Sequence, residues 1–115
     1  MSRIDAAAGL LAATLPIPTE PIAAGQVRGG SPRAGFVELD ETDDRTIGIW
    51  EHTPGVSTDV EADEVFVVLS GAGTLEFVEP EAPPVELRPG VVVRLAAGMR
   101  TLWTIHETVR KVYVT

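Results

Sequence analysis

From residue 36 onward the chain reads as short apolar runs broken by glycine, proline and acid-rich turns. The runs are "FVEL", "RTIGIWEH", "EVFVVL", "TLEFVE", "VELRPG", "VVVRL", "TLWTIHET" and "VRKVYVT". Between them lie "ETDD", "TPG", "GAG", "PEAPP" and "AAGM". In "RTIGIWEH", Ile47 and Ile49 fall on one face and Trp50 and His52 on the other, the two-residue period of a strand. "TLWTIHET" alternates in the same way. Seven or eight short strands with turn signals between them predict an antiparallel sandwich or barrel. No helix of ordinary length fits after residue 25. Closure of such a sheet also removes its exposed edges.

The segment before residue 36 differs in character. Pro16, Pro18 and Pro21 end any helix begun in "AAAGLLAATL", residues 6–15, which Asp5 could cap. The prolines bias their predecessors toward extended backbone. "RGGSPRAG" is turn material. The apolar decapeptide has the length of a signal-peptide core. However, Arg3 is the only basic residue before it and Asp5 cancels that charge, so a cytoplasmic location is the expectation. No apolar run approaches the roughly 20 residues of a membrane span. The chain of 115 residues therefore divides into an arm and connector over 1–35 and one barrel over 36–115.

Charge and cysteine content exclude several functions. The net charge is -8, from 9 basic and 17 acidic residues, and Lys111 is the only lysine. An acidic domain without a basic stripe suits neither nucleic acid nor an anionic membrane. The absence of cysteine removes disulfides, thiolate metal sites and cysteine nucleophiles. Only His52 and His106 are available as imidazole ligands. No serine-hydrolase elbow, phosphate-binding loop or dinucleotide fingerprint occurs.

Motif order sharpens the fold. "TPG", "DEVFVVLSG", "LRPG", "AAGMRTLW" and "ETVRKVYV" follow one another as they do in cupins. The chain most resembles the cupin subfamily related to the (S)-ureidoglycine aminohydrolase cupin domain. The matching residues are Trp50-Glu51 with Pro54-Gly55, Glu64 with Leu69 and Gly71, Gly90 with Gly98, and Trp103 with Glu107, Arg110 and Lys111. This resemblance implies an all-β fold, a double-stranded β-helix or jelly-roll barrel, with a central pocket. Metal-binding cupins carry G-x5-H-x-H-x3,4-E-x6-G and G-x5-P-x-G-x2-H-x3-N. Here Glu64 and Gly71 keep the end of the first motif, but no histidine lies in 57–60. In the second, Ala96 replaces proline and Thr101 replaces histidine. Of the four usual ligand positions only Glu64 survives, so no bound metal and no other cofactor is expected.

The resemblance turns Glu64 toward the barrel interior. Alternation places Glu64 with Phe66 and Val68, and Thr101 with Trp103 and Ile105. The candidate pocket is therefore Glu64, Thr101 and Trp103, with Trp50 and His52 at its wall or mouth. The plainer alternative for Glu64 is a strand-end carboxylate held by a nearby Thr or Arg. Plain core packing is the alternative for the tryptophans, and a polar strand end for His52. His106 points the other way. Arg110 either steers an anionic ligand or makes a strand-end ion pair with Glu107. The acidic runs "DETDD" and "EADE" lack the spacing of a calcium loop.

These residues predict a metal-free cupin that binds a small molecule of unknown identity, or keeps only the scaffold. Two alternatives stay open: a metal-dependent enzyme with a rearranged ligand set such as Glu64 and His52, and a dimeric interaction module. A homodimer is expected, with the apolar arm packing on a partner or on its own barrel. If Glu64 is buried without metal, Glu64→Gln is expected to leave the fold intact or stabilise it, since an amide avoids buried charge.

Overall fold

Chain segments rich in Val, Ile, Thr and aromatics make the strands, and the polar turns join them. The computed structural model describes residues 3–115. Nine strands run in chain order: β1 Glu20–Pro21, β2 Val27–Gly29, β3 Arg33–Glu41, β4 Thr46–His52, β5 Gly55–Val60, β6 Glu64–Glu79, β7 Ala82–Leu87, β8 Val92–Leu95 and β9 Arg100–Val114. A 3-10 turn at Ala24–Gln26 precedes β2. Every strand pairing is antiparallel. The fold is the all-β, cupin-type jelly roll that the motif order predicts.

Two long strands organise the sheet. Residues 100–105 of β9 pair with β5, whereas residues 109–114 pair with β4. Along its other edge β9 follows β6 throughout, from Val65↔Val114 to Glu79↔Arg100. The far edge of β6 pairs with β8 near its start and β7 near its end. The sheet thus bends back on itself about the middle of β6 and β9, where register shifts cluster between Val68 and Gly73. Gly71 sits in this corner at φ +96. A Cβ at that position would collide with the Thr108 carbonyl and the Val109 backbone. Only glycine accepts both the close approach and the left-handed φ. The corner also switches parity along β6: Phe66 and Val68 point inward before it, Leu75 and Phe77 after it.

Apolar inward residues fill most of the interior. Phe66, Val68, Leu75, Leu87, Val93, Leu95, Trp103, Ile105, Val109 and Tyr113 form one cluster. Each fully buried aliphatic side chain there contributes about 1.5–3 kcal/mol by leaving water. The outer face of β3 and β4 is covered by the N-terminal arm, which lies on its own barrel. Leu39 and Ile49 are buried on that side. The Arg3 amide donates to the Leu39 carbonyl. Arg110 donates to the Ala12 and Leu15 carbonyls at 2.9 and 2.6 Å. Residues 6–15 make turns rather than a helix.

Several expected boundaries shift. "EVFVVL" and "TLEFVE" are halves of one strand, because the glycines between them bend the ladder without ending it. "TLWTIHET" and "VRKVYVT" likewise merge into β9. The "TPG" turn is followed directly by β5, which the apolar pattern does not reveal. The connector contributes β1 and β2, which pair with β3 and β5.

Gly71→Ala is expected to destabilise the protein by about 3 kcal/mol or more, combining left-handed strain with a backbone collision. Urea denaturation measures the loss. The same change at Gly25, with open space around it, should leave the midpoint nearly unchanged.

Candidate functional site

Three inward-facing rows converge below the barrel mouth. β4 brings Trp50 and His52, β5 brings Ser57 and Asp59, and β9 brings Thr101, Trp103, Lys111 and Tyr113. Glu61, just past β5, and Glu64, the first residue of β6, close the ring. A cavity of about 200 Å³ is lined by Phe36, Trp50, Asp59, Glu61, Glu64, Trp103, Lys111 and Tyr113. A second, of about 260 Å³, shares Trp50, Asp59 and Trp103 and reaches His52, Ser57 and the connector at Glu20–Ala23.

Lys111 is the centre of the first cavity. Its Nζ donates to Glu64 Oε2 at 2.6 Å. The ammonium lies 4.3 Å from the Phe66 ring centroid, 4.4 Å from Trp50 and 4.9 Å from Trp103. Aromatic faces attract a cation at such distances, worth about 0.5–2 kcal/mol each. The Lys111 side chain is 5% exposed and that of Glu64 16%. Burial pushes the Lys111 ammonium below the usual lysine range, while Glu64 beside it pulls the other way.

A hydrogen-bonded carboxylate forms the next wall. Glu61 Oε2 accepts from Thr101 Oγ1 at 2.6 Å and from Trp103 Nε1 at 3.2 Å. The indole N–H also reaches Thr101 Oγ1 at 3.1 Å. Burial raises the Glu61 pKa; the Thr101 bond opposes this and the nearby Asp59 charge adds to it. Burial raises Asp59 as well. The cavity wall thus carries three carboxyl groups and one ammonium.

His52 is buried with both ring nitrogens engaged. Nδ1 meets the Thr53 carbonyl at 2.7 Å and Nε2 meets Ser57 Oγ at 2.9 Å. A carbonyl only accepts, so Nδ1 carries the hydrogen and Nε2 accepts from the serine hydroxyl. Burial lowers the His52 pKa, which keeps the ring neutral.

Glu64, Trp103 and Trp50 therefore line the Lys111 cavity. Thr101 is buried behind it, bonded to the wall residues Glu61 and Trp103. His52 belongs to the adjoining cavity. Glu64 is bonded to lysine, not to the Thr or Arg of its plainer alternative. Arg110 faces away from both cavities: it pairs with Glu51 at 2.8 Å, not with Glu107, and holds the arm. Sequence reasoning passed over Lys111, Glu61, Asp59 and Ser57. Continuing the odd-numbered alternation of Thr101 and Trp103 along β9 leads to Lys111. Asp59 and Ser57 were hidden in a strand whose polar inward face disguises it.

The donor set does not fit a transition metal. Glu64 is taken by Lys111, and the Nε2 of His52 by Ser57. Among the described residues, no group of three or more His, Cys, Asp or Glu could hold a metal ion.

A family model described as "EutQ-like cupin domain" matches residues 39–113. No curated protein matches the chain at a significant level. Solved structures do. A Rhizobium leguminosarum protein of unknown function is 25% identical, with a TM-score of 0.63 over 71% of this chain and 79% of its own. A putative ethanolamine utilization protein Q from Salmonella typhimurium is 19% identical, with a TM-score of 0.59 over 70% of this chain and 67% of its own. A Pseudomonas syringae protein of unknown function is 21% identical, with a TM-score of 0.72 over 88% of this chain and 44% of its own. The likeness is to cupins at large and to the EutQ-like model, with no specific signal for the ureidoglycine aminohydrolase subfamily.

The ion pair reverses the expectation for Glu64→Gln. Removing the carboxylate leaves the Lys111 ammonium buried without a counter-charge, at a cost of about 3 kcal/mol. Replacing both partners, Glu64→Leu with Lys111→Met, should return stability to within about 1 kcal/mol of the wild type. Denaturant titrations of the single and double variants check the cycle. Glu61→Gln should act in the opposite sense. Because its folded pKa lies above the ordinary 4.5, ionising Glu61 costs stability as pH rises through the folded value. The amide removes that cost. Its stabilising effect should be present at pH 7 and fade as pH falls toward 4.5, as melting curves across that range would read.

Proposed function

The chain belongs to the EutQ-like cupin domain family, and from that premise we propose that it is a ligand-binding cupin whose central cation is Lys111 rather than a metal. The observation that carries this reading is the 2.6 Å bond between Lys111 Nζ and Glu64 Oε2 beneath the Trp50, Phe66 and Trp103 rings. Glu64 is the one ligand residue kept from the metal-binding pattern, and its charge is met by an ammonium of the chain itself. His52, the other candidate ligand, is occupied by Ser57 and Thr53.

The pocket selects by charge and size. Asp59, Glu61 and Glu64 repel an anion, so a neutral or cationic molecule suits the site. About 200 Å³ has room for roughly six water-sized groups of about 30 Å³ each. The flat walls of Trp50 and Trp103 suit an apolar portion, and Glu61 and Lys111 supply the polar contacts, the usual division of labour in small-molecule pockets.

Trp50 and Trp103 are the only tryptophans, so indole emission reports the site without a label. Small neutral alcohols, amines and carbonyl compounds are expected to shift that emission saturably, and matched carboxylates to bind more weakly. Elemental analysis of protein purified without chelators is expected to find no stoichiometric transition metal. Stoichiometric manganese, iron, nickel or zinc that disappears in Glu64→Gln would overturn the reading.

A further inference from the structure

The chain places its single lysine in the cavity, although every other cation it carries is arginine. Arginine would serve as well for a structural ion pair; what lysine adds is an amine that can become a nucleophile. Lys111 is among the residues that line the cavity. Its hydrogen-bond partner is Glu64, a carboxylate placed to take a proton. Three aromatic rings pack against the nitrogen at 4.3–4.9 Å. We propose that Lys111 captures small aldehydes or ketones as an imine, with Glu64 as its proton shuttle. This rests on the ligand pocket proposed above and names the substrate class of that same site.

The chemistry balances without a co-reactant. The Lys111 ammonium passes one proton to Glu64, leaving a neutral amine and a carboxylic acid. The nitrogen lone pair forms the N–C bond while the carbonyl π pair moves to oxygen. A proton transfer from nitrogen to that oxygen gives the carbinolamine. Glu64 then returns its proton to the hydroxyl, the C–O bond breaks, and water leaves. The product is an iminium cation, with Glu64 again a carboxylate. The net change joins one ammonium and one carbonyl into one iminium and one water. Because the iminium is also a cation, it keeps both the Glu64 contact and the aromatic faces that hold the ammonium. Asp59 and Glu61 on the same wall favour neutral carbonyls over oxo acids.

Reductive trapping tests this on the intact protein. The folded chain is incubated with propionaldehyde and cyanoborohydride at pH 7, and peptide mapping separates Lys111 from the N-terminal amine. Lys111 is expected to be alkylated about 100-fold faster in the folded protein than in the same chain unfolded in guanidinium, the lower range for a positioned acid–base group. Glyoxylate should label it more slowly than propionaldehyde. In Lys111→Arg the mass addition should be confined to the N-terminus. Labelling of Lys111 no faster in the folded than in the unfolded protein would overturn the proposal and leave a purely structural ion pair. Saturable binding of propanol by indole emission in that same protein would show that the pocket reading stands although the imine fails. If neither carbonyl nor alcohol is bound, both fall together.

Discussion

A buried ammonium needs a counter-charge, and here Glu64 supplies it. The Lys111–Glu64 pair joins the start of β6 to the second half of β9, the two strands that share the longest pairing of the sheet. The pair is costly to desolvate and its attraction offsets that cost only where geometry is good. The Trp50, Phe66 and Trp103 rings improve the geometry by presenting their electron-rich faces to the nitrogen. Both tryptophans pack on the ammonium, with centroids 5.2 Å apart at 52°, and the Trp103 indole N–H is held further by Glu61 and Thr101.

The pair lies within one half of the sheet, where the start of β6 runs beside the end of β9, and the corner brings the other half, with Trp103, against it. Gly71 lets β6 bend and reverse the facing of its side chains, so Glu64 and Phe66 share an interior with Leu75 and Phe77. On β9 the inward residues stay odd-numbered, from Thr101 to Tyr113 across the bend. Thr101, Trp103 and Lys111 are thereby lined up along one strand, facing β5 at one end and β4 at the other. On the opposite surface Arg110 anchors the arm through the Ala12 and Leu15 carbonyls while Glu51 neutralises it. Consecutive cations in the sequence thus hold different parts of the molecule together, Arg110 outside and Lys111 inside.

The fold was legible because it is written in local alternation and turn chemistry. Each of "EVFVVL", "VVVRL" and "TLWTIHET" carries its strand period within a few residues. Motif spacing did the rest, from Glu64 to Gly71 and from Gly90 to Gly98. The site was legible only in part, for a physical reason. A strand that lines a polar cavity puts Ser57 and Asp59 where apolar residues would ordinarily mark the inner face, so β5 reads as a loop. Lys111 was read as one letter of a signature because a lysine is ordinarily a surface residue. Its burial depends on Glu64, 47 positions earlier, and no local pattern encodes that pairing. Glu61 stands in the acidic run "EADE", which carries no site signal of its own, yet bonds from Thr101 and Trp103 make it part of the wall.

The same residues explain how a cupin scaffold changes its chemistry while keeping its shape. A site of neutral imidazoles around a divalent ion is attractive to anions. Here two hydroxyls, Ser57 in the segment of the lost histidines and Thr101 at the second-motif histidine position, are already committed, Ser57 to His52 and Thr101 to Glu61. The only cation is singly charged and faces three carboxyl groups. At neutral pH the wall is negative unless a proton remains on Asp59 or Glu61, whose pKa values burial raises. Such a site can move protons among neighbouring groups of unequal basicity and present the Lys111 nitrogen to a bound molecule. Proton transfer and reversible covalent capture are therefore the chemistry to which this barrel is suited.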